Sequence, residues 1–463
     1  MSGRLRAGAG RANITPPVGI AHAGWGAQLH ERAEGIDEDF FVTALALADD
    51  DSMALVIELD TGIMMIDEAS AFRGEVAEAV GIDAAAIRLS YSHTHAGPLL
   101  HALNIKAGGE LVEPYWETMR SGTVGAARAA VGNLRAARIG ATTAQSHIAV
   151  NRRFETPDGR IVVSPRPDGF TDPTVTVARI DGDDGAPIAA VVGYACHPIT
   201  LAFQNRLLSP DFPGPVRRTV EKLTDATCLF LQGAAGDQMP VEALTGDTSV
   251  HRRLGTMLGA SAAEAWLGID PLQREWAFDR VVESGAPLGL SQATPRVPVE
   301  VPLRVISRRV ELPLRDATEE SEAIAIRDEV HAELADHRTA GAADDVILDA
   351  MFRAKRTQMR VWFASMYGGS DVAEIEVHGL RVGPLALVGF PGEPFAATGA
   401  AVREQSPFPV TFLGGYTNGW SGYVPTRAEF ERGGYEVEWG SHYAPGAAEA
   451  LEVASIELLE SLT

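Results

Sequence analysis

The sequence predicts an α/β protein. Two observations carry that class: short apolar runs of strand character alternate with amphipathic stretches of helical period, and small or polar loops follow the runs in turn. Composition agrees, with 46% hydrophobic and 22% charged residues in a chain of 463, enough to bury a substantial core.

The elements follow in order. Residues 39–62 (DFFVTALALADDDSMALVIELDTG) read as two buried strands joined by an acidic turn at Asp49 to Asp51. Residues 66–81 have helical spacing and end at Gly81, a C-cap signal. The strand 85–92 (AAIRLSYS) follows, and a second helix covers 113–134. Residues 174–198 form a hairpin whose second strand runs to His197, and 227–237 (TCLFLQGAAGD) is a strand leading into a small-residue loop. Residues 250–267 are helical, 270–315 are Pro-rich without a clear period, and two helices fill 318–367, the second amphipathic. A hairpin over 372–390 leads to a turn carrying Glu393 and then a helix; 449–463 is a final amphipathic helix.

A net charge of −23 argues against nucleic acid and anionic membrane surfaces as partners. The two cysteines, Cys196 and Cys228, sit in apolar runs and read as buried thiols in a reducing compartment. The start has no apolar leader and no run reaches membrane-spanning length, so the expected location is cytoplasmic. Nothing in the sequence sets an oligomeric state.

Chemistry concentrates at IRLSYSHTHAGPLLH, residues 87–101. If the strand continues through His93, its period of two puts His93 and His95 on one side. Two adjacent imidazoles call for a metal or a carboxylate partner; hydrogen-bonded structural histidines are the alternative. His197 also stands where an apolar strand gives way to a turn, with Pro198 stopping the ladder. Catalytic zinc usually takes three protein ligands and leaves a position open. Glu393 in GFPGEPF follows another buried strand, so it is either a ligand or a carboxylate at a helix N-terminus. The Gly-, Tyr- and Trp-rich segment 415–441 reads as a packed loop or pocket wall.

The ordered set GAGRANITPP, SHTHAGP, ACHP with SPDFPG, GAAGD, PGEPF, NGWSGYVPT and GGYE resembles the neutral ceramidase family of zinc amidases, from about residue 8 to about 440. The resemblance implies large mixed β-sheets flanked by helices in a single catalytic domain over 1–463, of a short bacterial type. It implies Zn2+ held by His93, His197, Glu393 and Tyr423, with His95 in the site beside the metal. Tyr435 matches a tyrosine that binds substrate or the developing oxyanion. Arg152 matches the arginine of an Asn-Arg pair, a place that Arg153 could also take. Asp237 would orient a ligand or take a proton, or else cap its turn.

Two departures matter. Where the family carries a serine after Gly-Asp-Val, this chain reads GDQMPV, and the Met239 thioether cannot act as an acyl acceptor. The chain also ends 28 residues after Tyr435, so the family's C-terminal β-sandwich (immunoglobulin-like) domain is expected to be missing. The loss of that domain, the acidic surface and the lack of a secretion signal turn the expectation from a membrane sphingolipid toward a soluble small-molecule substrate. The expected activity is hydrolysis of a carboxamide through a metal-activated water. Ester or lactone hydrolysis, a lyase or glycosidic cleavage is the alternative, and a non-catalytic binding protein is the third reading.

Overall fold

The computed structural model describes residues 4–22, 24–25, 27–28, 30–101, 107–294, 301–315 and 318–463. Four strands, Arg6–Asn13, Phe41–Ala48, Met53–Leu59 and Ile87–Tyr91, pair in that order. Four more, Arg135–Gln145, Thr174–Gly182, Pro187–Tyr194 and Thr227–Gln232, do the same. The two sets join at one corner through the pairs Arg6↔Ala136 and Ala7↔Arg135. So short a seam lets the halves fold over each other, and Thr227–Gln232 at one end of the order packs on Met53–Leu59 and Ile87–Tyr91 at the other.

Both faces of each half are therefore apolar. Leu45, Leu47 and Val56 point inward and meet Ile180, Val191, Leu229 and Leu231. On one outer face, Val42, Ala44, Leu55 and Leu89 meet Phe72 and Val76 of helix Ile66–Val80 and Met119 and Ala126 of helix Val112–Gly132. On the other, Val177, Val192 and Phe230 meet Val216 and Val220 of helix Pro213–Thr224 and Leu254 and Leu258 of helix Thr248–Gly268. The result is helix, sheet, sheet, helix, as double burial of each strand requires.

A third sheet, ordered Leu303–Pro313, Val372–Val382, Leu385–Gly389 and Val410–Gly414, turns Leu380, Leu387 and Phe412 into the inter-sheet core. Its other face packs on helices Ala396–Glu404 and Ala447–Ser461. No described helix is long and apolar enough to cross a membrane.

The expected hairpin at 39–62 forms, and Gly81 caps its helix at φ 74°. The segment 270–315 becomes a two-stranded ribbon, Glu275–Ser284 with Ala286–Thr294, followed by the strand from Leu303; its residues 295–300 lie outside the described ones. Strand Arg6–Asn13 escapes the sequence pattern because it is built of small residues. A Cβ on Gly10 would come 2.3 Å from the Ala126 carbonyl oxygen of helix Val112–Gly132, so close approach replaces side-chain bulk there. Helix Pro213–Thr224 also escapes, because prolines 213 and 215 in its first turn read as loop while fitting a helix start.

Candidate metal centre

The longer parallel strand pairs among the described residues are Met53–Leu59 with Ile87–Tyr91, Pro187–Tyr194 with Thr227–Gln232, and Leu385–Gly389 with Val410–Gly414. Parallel pairing puts the carboxyl ends of both partners on one side, the usual ligand position in α/β sheets. The loops leaving these strands bind one another there. Tyr91 N donates to the Tyr416 carbonyl, Gly233 N to Tyr194, and Gly236 N to Pro394. His93, His95, His197, Asp237, Glu393 and Tyr416 all lie in these loops.

The strand expected to carry both histidines of SHTHAGP stops at Tyr91. His93 adopts φ 64°, in the left-handed region that histidine tolerates better than most side chains. A turn rather than the pleat of a strand therefore brings the two rings together, perpendicular and 4.9 Å apart. Thr94 fixes the turn, its hydroxyl donating to the Ser209 carbonyl and accepting from Ala96 N. The strand before His197 likewise ends early, at Tyr194.

His93 Nε2 lies 3.1 Å from His197 Nε2 and 3.3 Å from His95 Nε2. His93 Nδ1 is 2.8 Å from the Gly62 carbonyl and His197 Nδ1 is 2.9 Å from the Ala235 carbonyl. A carbonyl only accepts, so both Nδ1 atoms carry the proton and both Nε2 atoms present bare lone pairs. Burial holds both rings neutral: His93 is pushed down to about 3, and His197 well below its ordinary value, with Arg152 adding to the effect. Two lone pairs facing at 3.1 Å have no proton to share, and a cation between them removes the conflict. Glu393 Oε2 stands 3.4 Å from His197 Nε2 and 3.7 Å from His93 Nε2. Tetrahedral zinc with ligands at about 2.0–2.1 Å needs edges of about 3.3 Å, so this donor set fits such an ion.

His95 differs from the other two. Its Nδ1 is buried without a hydrogen-bond partner among the described residues, so no carbonyl fixes its tautomer. Its ring packs on Trp25 at 5.1 Å, and burial, then His93, push its pKa well below the usual value. His93, His95 and His197 form a group able to hold a metal ion. A second such group, Asp37, Glu38 and His251, has arginines 218 and 252 paired to its carboxylates. His101 lies outside the cluster and pairs with Glu68 at 2.8 Å.

Glu393 and Tyr423 are placed as a pair by a two-residue parallel ladder, Glu393↔Tyr423 and Pro394↔Val424. Trp420 Nε1 donates to Glu393 Oε1 at 2.8 Å, and the Tyr416 hydroxyl donates to Oε2 at 3.1 Å. Burial raises the Glu393 pKa to about 7 against the pull of Trp420 and Arg152. The sequence singles out neither Tyr416 nor Trp420, although the segment 415–441 that holds them reads as a packed loop or pocket wall. The Tyr423 ring stacks beside His197 at 6.3 Å, and a Cβ on Gly440 would come 2.4 Å from it.

Strand alternation separates Arg152 from Arg153. Arg152 donates to the Tyr423 hydroxyl at 3.0 Å and to Glu436 Oε1 at 2.8 Å. Arg153 turns away to Glu429, Glu436 Oε2 and the Gly433 carbonyl. Asp237 is buried and raised to about 6 by burial; it accepts from Asn151 Nδ2 at 3.0 Å and Ala396 N at 2.8 Å. Its carboxylate thus ties the Arg152 strand to the helix after Glu393. Tyr435 sits one ring further out, edge-on to Tyr423 at 5.7 Å and 41% exposed. Met239 is buried in a short ladder opposite Val150.

A cavity of about 490 Å3 lies apart from these residues, lined in part by Arg356, Phe363, Tyr367, Trp439 and His442. Phe363 stacks on Trp420 at 5.7 Å, so two aromatic rings stand between the cavity and Glu393.

No protein-family model matches the sequence, and no curated protein matches it. Solved structures do match. The neutral ceramidase of Pseudomonas aeruginosa superposes with a TM-score of 0.68 at 18% identity, covering 100% of this chain and 75% of that one. The chain has the neutral ceramidase fold. A ceramidase complexed with C2 matches equally, at TM-score 0.68 and 17% identity over 99% of this chain and 75% of that one. The neutral ceramidase fold thus spans all the loops that carry the histidine cluster.

Proposed function

We propose that this chain is a zinc-dependent hydrolase that cleaves a carboxamide bond of a small polar molecule. The observation that carries the reading is the pair of unprotonated Nε2 atoms, on His93 and His197, facing each other beside Glu393. The fold shared with neutral ceramidase supports amide hydrolysis as the reaction class. When bound, zinc would supply a Lewis acid for the carbonyl oxygen and a water acidic enough to be a nucleophile near neutrality.

His93, His197 and Glu393 are the proposed ligands, with the Tyr423 hydroxyl completing the set or yielding its place to substrate. Their backbone and Trp420 partners fix the orientation of each donor before substrate arrives. His95 is the proposed proton carrier: it alone of the three imidazoles has a tautomer that no carbonyl locks, so it can take a proton at one nitrogen and give it to the leaving amine. The Arg152 guanidinium, held by Glu436, is aimed through Tyr423 at the developing oxyanion. One such donor is worth on the order of 10²–10³ in turnover. Tyr435, at the mouth, contacts the substrate. Asp237 positions Arg152 and Glu393.

One feature supports a polar substrate: the net charge of −23. The test is a panel of amides, esters, lactones and glycosides assayed before chelation, after it and after zinc is restored. Amide hydrolysis lost on chelation and recovered with zinc is expected. Turnover of esters or glycosides alone would contradict the bond assignment, and activity unaffected by full metal removal would contradict the zinc.

A further inference from the structure

The ribbon Glu275–Ser284 with Ala286–Thr294 stands apart from the rest of the fold. Every residue of its first strand is exposed, and in the second only Ala293 is not fully so. Yet its composition is that of a buried element. Trp276 is 71% exposed and Phe278 66%, and Val281, Val282, Leu288 and Leu290 are also open to solvent. The cross-strand pairs Trp276↔Ala293, Phe278↔Ser291 and Val281↔Gly289 put three of these side chains on one face. The register shift after Phe278 brings Val281 onto that face. Val282↔Leu288 and Arg280↔Leu290 give the opposite face its own apolar stripe.

Three physical points select the cover. A lone two-stranded ribbon is marginally stable in water, so this one needs a surface present whenever the chain is folded rather than an occasional visitor. A second copy of the same chain meets that condition at fixed stoichiometry. The exposed side chains present on the order of 500 Å2 of apolar surface, at the upper end for a monomer's largest patch. Two such arms with the surfaces they cover would bury roughly 2,000 Å2, the size of a stable interface. The ribbon carries Glu275, Asp279 and Glu283 against Arg280 alone, which disfavours an anionic lipid surface.

We propose that Glu275–Thr294 is a dimerisation arm, buried on a second copy of this chain in an isologous contact about a two-fold axis. The arm lies outside the residues assigned to catalysis, so disrupting it separates assembly from turnover.

The test is the mass of the full chain in solution by light scattering at micromolar concentration, for the wild type and for the double variant Trp276→Asp, Phe278→Asp. The wild type is expected at twice 49.2 kDa and the variant at 49.2 kDa, with turnover unchanged. A monomeric wild type overturns the proposal, as does a variant that remains dimeric. Should the variant fail to fold, hydrogen exchange on the wild type decides: amides of 275–294 must be protected, and lose protection on dilution as the mass falls. A dimer with an unprotected ribbon, or a monomer that floats with neutral or anionic vesicles, contradicts it.

Discussion

His93 and His197 are paired by what stands behind them. Each Nδ1 proton is held by a carbonyl, Gly62 or Ala235, and this leaves the Nε2 lone pairs to face one another. Trp420 does the equivalent for Glu393 by occupying Oε1. Replacing Trp420 with Phe keeps an aromatic ring against Phe363 but removes that donor. Partners behind metal ligands commonly govern affinity by 10- to 100-fold, so Trp420→Phe should weaken zinc binding by about that factor in a chelator competition. Unchanged affinity would mean that the bond does not orient Glu393. His93, His197 and Glu393 stand out as candidates because each follows an apolar run in a short motif, whereas Tyr423 enters only through the family resemblance. Tyr416 and Trp420 were not assigned, since their placement depends on left-handed backbone at Tyr416 (φ 54°) and Asn418 (φ 58°), which no propensity announces.

The elements show where pattern reading holds and where it stops. Long amphipathic helices and doubly buried strands were readable from period alone. Strand Arg6–Asn13 and helix Pro213–Thr224 were not, because small residues and prolines serve close packing and helix starts there. The expectation that His93 and His95 share the face of a strand failed for a related reason: the turn at His93 is held by a tertiary bond from the Thr94 hydroxyl to the Ser209 carbonyl. Met239, at the place of the family serine, belongs to the ladder with Val150 and is buried. Met239→Ser should therefore cost about 2–4 kcal/mol of stability through the cavity and the buried hydroxyl. Turnover should stay within a few-fold, because the proposed ligands are untouched. A burst of product from an acyl-serine intermediate would contradict the assigned water route.

At the scale of the whole molecule, the seven ordered motifs anticipated the neutral ceramidase fold even though no family model matches the sequence. The layers of helix, sheet, sheet and helix were not legible, because the corner that bends the strands rests on only two residue pairs. Such deep burial also leaves histidines outside the proposed ligand set uncharged. Burial and His30 lower His22 to about 4; burial and Arg88 lower His378 to about 3; burial and Arg315 lower His442 to about 3. With folded values below the unfolded value of 6.5, the unfolded chain binds more protons in acid. Stability is then full above pH 6.5 and falls as pH drops toward the folded values, by about 1.4 kcal/mol per group per pH unit. Urea unfolding between pH 4 and 8 should show a loss beginning near pH 6.5. A midpoint that stays level to pH 4 would contradict the burial of these rings.

In the proposed site, side chains from four loops far apart in sequence close around one divalent ion. Zinc content of the purified chain, measured by mass spectrometry after incubation with zinc and desalting, tests it most directly. Near one zinc per chain in the wild type, falling below about a tenth in folded His93→Ala and His197→Ala, is the predicted result. A wild type that retains no zinc, or a His93→Ala variant that retains all of it, would contradict the account.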